Sequence, residues 1–120
     1  MADKITIIYP VKDLAKARDI FTAMLGTEPT MVERYYVGYR IGNDEIGLNP
    51  NGFSQGMTGP VAYWDVADLK ETIADMVAAG AELWQNPRHV GGGKQIAMLK
   101  DPDGNVIGII QTSVVRPKKS

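Results

Sequence analysis

The chain has no cysteine and a single histidine, His89, among its 120 residues. The first absence removes disulfides, thiolate nucleophiles and thiolate metal sites together. The second severely limits any Ser-His-Asp reading. Charge of one sign is also missing: 13 Lys and Arg face 14 Asp and Glu, a net charge of −1. Nucleic acid, which calls for a basic surface, is not an expected partner. No stretch approaches the roughly 18 apolar residues of a membrane span, so no membrane partner is expected. Met1-Ala2-Asp3-Lys4 runs straight into a strand-like segment without the apolar core of a signal peptide, and the expected location is the cytoplasm. The basic end, Arg116-Pro117-Lys118-Lys119, reads as part of a solvated, flexible tail over 114–120.

What is present is internal repetition. V-x-D-L occurs at Val11 to Leu14 and again at Val66 to Leu69, 55 residues on. Each copy sits between an apolar β-branched run and an amphipathic run that ends at a glycine, Gly26 or Gly80. A second echo pairs Ile46-Gly47-Leu48 with Ile107-Gly108-Ile109. Self-similarity at a fixed offset marks a duplicated unit. Composition agrees with a globular protein, at 44% hydrophobic and 22% charged.

The pattern predicts strands at Ile5 to Tyr9, Met31 to Glu33, Tyr35 to Ile41 and Glu45 to Leu48. In the second copy it predicts Val61 to Val66, Glu82 to Gln85, Ile96 to Leu99 and Val106 to Gln111. Asp13 and Asp68 are the predicted N-caps of two helices. The first presents Leu14, Ala17, Ile20, Phe21 and Met24 as its apolar stripe, the second Leu69, Ile73, Met76 and Val77. Gly42-Asn43-Asp44 is the clearest hairpin turn. The expected organisation is one domain over 1–113, with a βαβββ unit at 4–49, a linker at 50–59 and a second unit at 60–112. One helix cannot cover both faces of a four-stranded sheet, so one face must be buried by another copy or by a ligand.

Two tandem βαβββ units closing on K-D-P-D-G-N-V-I-G-I-I-Q, Lys100 to Gln111, resemble the vicinal oxygen chelate superfamily of glyoxalase I, bleomycin-resistance proteins and ring-cleaving dioxygenases. The opening T-x-x-x-x-V-x-D-L-x-x-A, Thr6 to Ala17, is a looser match to the same group. The resemblance implies an α+β fold in which both units form a curved mixed sheet. It also implies a homodimer with cavities for small molecules. In metal-dependent members four cavity residues hold a divalent ion, His or Gln on the early strands and Glu on the late ones. Carried onto this chain, those positions are Thr6, Val61, Gly47 and Gly108. Three of the four have no polar side-chain atom, so neither a metal nor any other cofactor is expected.

Strand alternation projects Thr6, Ile8, Gly47, Asn49, Val61, Tyr63, Gly108 and Ile110 onto one face, a largely apolar lining with a few polar points. Gly47 and Gly108 either leave room for a ligand or relieve crowding between curved strands. Tyr63 offers a ring and one hydroxyl, or simply packs in a dimer core. Arg34, Tyr35, Tyr36, Tyr39 and Arg40 form an aromatic–cationic cluster, with Tyr36 the residue assigned to the cavity. Trp64 is expected in the core and Trp84 on the cavity wall. The catalytic candidates are Tyr63, Glu45 and His89, the last in a glycine-rich loop where it is either an acid–base group or simply solvated. Asp101 and Asp103 read as turn formers. Together these features favour a metal-free protein that binds a planar or aromatic compound in a dimeric cavity. A glyoxalase-family enzyme is the alternative: a metal-independent isomerase or lyase, then a metal-dependent lyase or dioxygenase.

Overall fold

A computed structural model describes residues 4–112; the expected tail at 114–120 lies outside them. Chain contacts separate a first unit, Ile5–Val61, from a second that holds Lys4 and residues 62–112. Each is α+β, a βαβββ arrangement with a mixed four-stranded sheet.

The first unit contains β1 (Ile5–Pro10), α1 (Leu14–Leu25), β2 (Met31–Glu33), β3 (Tyr36–Ile41) and β4 (Asp44–Asn49). Its strands lie in the order β2-β3-β4-β1. Strands β1 and β4 run parallel, with Thr6 opposite Glu45 and Ile8 opposite Gly47. The β3–β4 hairpin turns at Gly42, whose φ of 62° suits a two-residue loop. Tyr35 falls in the preceding turn, one residue short of the predicted strand. The stretch 50–59 is structured: it holds a short 3₁₀ turn, Phe53–Gln55, and Met57 is buried.

Asp13 caps α1 by accepting the Lys16 N–H at 3.0 Å, and Gly26 ends it at φ 70°. The helix seats Leu14, Ala17, Phe21 and Leu25 on a core of Val37, Tyr39 and Leu48. Ile20 and Met24, predicted in that stripe, are 60% and 63% exposed. Each precedes a seam residue by one position, which turns it about 100° away on a 3.6-residue helix. Tyr39 is fully buried, and its hydroxyl bonds Thr22 Oγ1 at 2.8 Å and donates to the Arg18 carbonyl at 3.0 Å. These bonds supply the partner that a buried phenol needs.

The second unit contains β5 (Val61–Asp65), α2 (Leu69–Ala78), β6 (Glu82–His89), β7 (Gln95–Lys100) and β8 (Val106–Gln111). Val61, the first residue of β5, groups by contacts with the first unit. The strand order is β5-β8-β7-β6, with β5 and β8 parallel. Asp68 caps α2 through the Glu71 N–H at 3.0 Å, and buried Gln111 accepts the Leu69 N–H at 2.7 Å. The core gathers Leu69, Ala97, Leu99 and Ile109, with Ile73 and Met76 packed on it. Val77 is exposed.

Two expectations fail here. Helix α2 lies over β6, β7 and β8, so Trp64 on β5 escapes its cover and is 41% exposed rather than in the core. Strand β6 continues four residues past Gln85, through His89, which pairs with Gln95 instead of sitting in a loop. Two β-bulges, between Leu83 and Gln85 and between Gln85 and Arg88, let it continue through Pro87.

Candidate functional site

The face of each sheet away from its helix carries most of the candidate residues. In the first unit, core residues Val37, Tyr39, Ile46 and Leu48 point to α1. Alternation therefore sends Tyr36, Gly38, Glu45, Gly47 and Asn49 to the other face. Thr6 and Ile8 join them from β1 through their register with Glu45 and Gly47. In the second unit Ala97, Leu99 and Ile109 point to α2, leaving Ile96, Met98, Gly108 and Ile110 on the opposite face beside Tyr63.

Tyrosine rings occupy the space above both glycines. A Cβ on Gly47 would lie 2.6 Å from Cε1 and Cζ of Tyr36, and one on Gly38 would lie 2.9 Å from its Cε2. A Cβ on Gly108 would lie 2.6 Å from Cδ2 of Tyr63. Real side chains do not tolerate such approaches, so glycine is what lets each ring lie against the strand. The crowding reading of the two glycines thus gains a specific form: the crowding comes from tyrosines.

The hydroxyls differ. Tyr36 donates to Glu45 Oε2 at 2.5 Å. Burial raises the Tyr36 pKa well above the usual tyrosine value, and the hydrogen bond and charge of Glu45 add to the shift. Tyr63, 5% exposed, has its pKa pushed up to about 12 by burial, partly offset by the positive charge of Arg88. Among the described residues its hydroxyl has no hydrogen-bond partner, and it is not a buried unsatisfied atom, so it reaches the surface. Both phenols are therefore proton donors at neutral pH.

Other candidates separate from these rings. Asn49 is spent on its own turn, donating to Gln55 Oε1 at 3.1 Å and accepting the Asn51 N–H at 2.8 Å. Val61 is buried. Trp84 is half-buried, with Lys100 Nζ 4.3 Å from its ring centroid, a cation–π contact. His89 is exposed, and alternation from Arg88 turns it to the face opposite Tyr63. Tyr35 is 64% exposed in its turn, so the tyrosine cluster splits three ways: Tyr39 into the core, Tyr36 to the far face, Tyr35 to solvent. Asp101 is held below the ordinary carboxylate range by the Asn105 side chain and N–H, within a solvated turn. A depression of about 330 Å³ on α1, lined by Ala15, Arg18, Asp19, Thr22 and Glu28, contains none of the candidates.

Sequence reasoning missed the Tyr36–Glu45 pair and the position of Arg88. The first was within reach: the two-residue loop at Gly42 fixes Gly38 opposite Gly47, with an aromatic two residues before the first glycine. The second depends on bulges that have no evident sequence signal.

The four positions onto which the family resemblance carries a metal site do not fit a metal. Val61, Gly47 and Gly108 supply no side-chain donor, and tyrosine rings cover both glycines. Among the described residues no three His, Cys, Asp or Glu side chains gather as ligands.

Fold and site geometry define a duplicated βαβββ protein, and residues 4–109 match the Glyoxalase/Bleomycin resistance protein/Dioxygenase superfamily. The chain belongs to that family. Its structural relatives include a protein described as an NAD-dependent benzaldehyde dehydrogenase from Legionella pneumophila, 17% identical with a TM-score of 0.75, covering 89% of this chain and 97% of that one. A variant methylmalonyl-CoA epimerase from Streptomyces coelicolor, in complex with 2-nitronate-propionyl-CoA, is 18% identical with a TM-score of 0.68 and covers 98% of each chain. A superfamily member from Vibrio splendidus is 19% identical with a TM-score of 0.62, covering 89% and 96%. At such identities the likeness concerns the fold. No curated protein matches the chain in sequence at a significant level. No helix among the described residues is long and apolar enough to cross a membrane.

Proposed function

We propose that the protein binds a planar, aromatic small molecule without a metal, in a cavity completed by a second copy of the chain. The observation that carries this reading is Tyr63: a buried ring whose hydroxyl reaches the surface without a partner among the described residues, on the same sheet face as the half-buried Ile96 and Ile110. Apolar walls with a few convergent polar groups are the usual make-up of a ligand site.

A metal-independent isomerase or lyase is the second reading, favoured by the short Tyr36–Glu45 contact. Proton abstraction needs a base near neutrality. The raised pKa values of Tyr36 and Tyr63 make them donors, and Glu45 Oε2 is already engaged by Tyr36. Binding is the better-supported function.

Tryptophan fluorescence separates the two. In a Trp64→Phe variant, a planar aromatic probe should quench Trp84 saturably and be recovered unchanged. Consumption of the probe would establish the catalyst instead, and the lack of any saturable response would defeat both. Sedimentation should give a dimer; a 13.1 kDa species at working concentration counts against the shared cavity.

A further inference from the structure

The chain has five asparagines, and one of them, Asn51, is followed by glycine. The side-chain amide of an asparagine is open to attack by the backbone nitrogen of the next residue. A glycine there hinders the approach least, because it carries no Cβ. Asn49 and Asn86 precede prolines, whose nitrogens have no proton to lose. Asn105 precedes the β-branched Val106, and its Nδ2 donates to Asp101 Oδ2 at 2.9 Å. Asn43 precedes Asp44, which brings a side chain and a negative charge. Asn51 is exposed, and its side chain has no hydrogen-bond partner among the described residues.

The fold holds the reacting peptide at both ends. Its oxygen, on Asn51, accepts the Ser54 hydroxyl at 2.9 Å and the Gln55 N–H at 3.0 Å. Its N–H, on Gly52, donates to the Asn49 carbonyl at 3.2 Å. The Asn49 side chain adds a clamp: Oδ1 takes the Asn51 N–H at 2.8 Å, and Nδ2 reaches Gln55 Oε1 at 3.1 Å. Gly52 is buried, and a Cβ there would lie 2.6 Å from Cβ of Pro10 and 3.0 Å from Sδ of Met57. A nitrogen so placed is shielded from hydroxide and does not turn toward the Asn51 side chain until these bonds break. Local opening is what exposes bonded amides of this kind.

We propose that Asn51 is a modification site, converted to aspartate and isoaspartate only while the turn over 49–57 is open. The Gly52 nitrogen, having lost its proton to base, bonds to Cγ of Asn51. The bond from Cγ to the side-chain nitrogen breaks, and that nitrogen takes up a proton and leaves as ammonia. Water then opens the resulting cyclic imide at either carbonyl. Opening at Cγ restores an ordinary backbone with aspartate at 51. Opening at the main-chain carbonyl routes the backbone through the former side chain, as isoaspartate, and lengthens it by a methylene. The added length falls where Gly52 meets Pro10, so the isoaspartate form does not close the turn again. Each opening is thereby left with a permanent chemical record.

Incubation of the full chain at mildly alkaline pH, beside a synthetic peptide of residues 48–55, tests the proposal. Fragmentation mass spectrometry reads both the site and the linkage. Asn51 should be the first asparagine converted in the chain, about tenfold or more slowly than in the peptide. Asn49→Ala, which removes the clamp, should speed conversion in the folded chain about threefold or more. Urea below the unfolding midpoint, which loosens the turn without a substitution, should do the same. The isolated isoaspartate form should be cut by protease within 50–59 about threefold faster than an Asn51→Asp variant. A folded chain that reacts as fast as the peptide, first conversion at another asparagine, or a rate unmoved by both treatments overturns the proposal. Equal cleavage of the isoaspartate form and the Asn51→Asp variant overturns the failure to close.

Discussion

The two units put a tyrosine over a glycine at equivalent points of the repeat, yet they reach that point from opposite neighbours. Tyr36 comes from β3, the antiparallel partner of β4, and covers Gly47. Tyr63 comes from β5, the parallel partner of β8, and covers Gly108. The first phenol is closed off by Glu45; the second has no hydrogen-bond partner among the described residues. Duplication has kept the filled space but divided the roles. One unit satisfies its polar group internally, and the other leaves a donor for something else to use.

High pH should strain this arrangement most. A phenol whose folded-state pKa lies above its unfolded value keeps its contribution in full below the unfolded value and loses it as pH rises through the folded one. For Tyr63 the window runs from the ordinary 10 to about 12. The two units of difference correspond to a loss of about 3 kcal/mol. Tyr36 adds a loss in the same direction. Chemical denaturation between pH 9 and 12 should show the decline, and both Tyr36→Phe and Tyr63→Phe should flatten it. A stability independent of pH over that range would contradict the raised values.

Filling the glycines gives a smaller effect and compares the units directly. Gly47→Ala should destabilise by about 2–3 kcal/mol, because Glu45 holds the Tyr36 ring in place against the new methyl. Gly108→Ala should cost about 1–2 kcal/mol, since no hydrogen bond among the described residues holds the Tyr63 ring against the new methyl. Urea midpoints for the pair would decide it, and the reverse order would mean that the Glu45 bond does not fix its ring. The smallest effect concerns the helix starts. Asp13→Ala and Asp68→Ala should each cost about 1 kcal/mol in the same assay, with similar values because both carboxylates accept an N–H at 3.0 Å.

Local chemistry was legible wherever neighbours along the chain determine it. Asp13, Asp68, Gly26 and the Gly42 turn have the roles their sequence positions suggest. Residues that depend on distant partners were harder to read. Choosing Leu25 over Met24 requires knowing which side of α1 meets Tyr39 and Leu48. Trp64 follows alternation correctly but meets no helix, because the reach of α2 is set by where β6 and β7 lie. The length of β6 was hidden by Pro87, which argues against a strand unless a bulge or an edge absorbs it. The glycines at 47 and 108 stood out in the sequence, whereas the rings above them come from other strands.

The covered glycines also bear on how freely this chain can change. A single replacement of Gly108 by glutamate would drive its Cβ into the Tyr63 ring. The residue on β5 would have to shrink first, a step that itself removes the packing on β8. A carboxylate on β8 thus begins with a loss of stability, and the order of substitutions, more than their number, decides whether this scaffold can accept one.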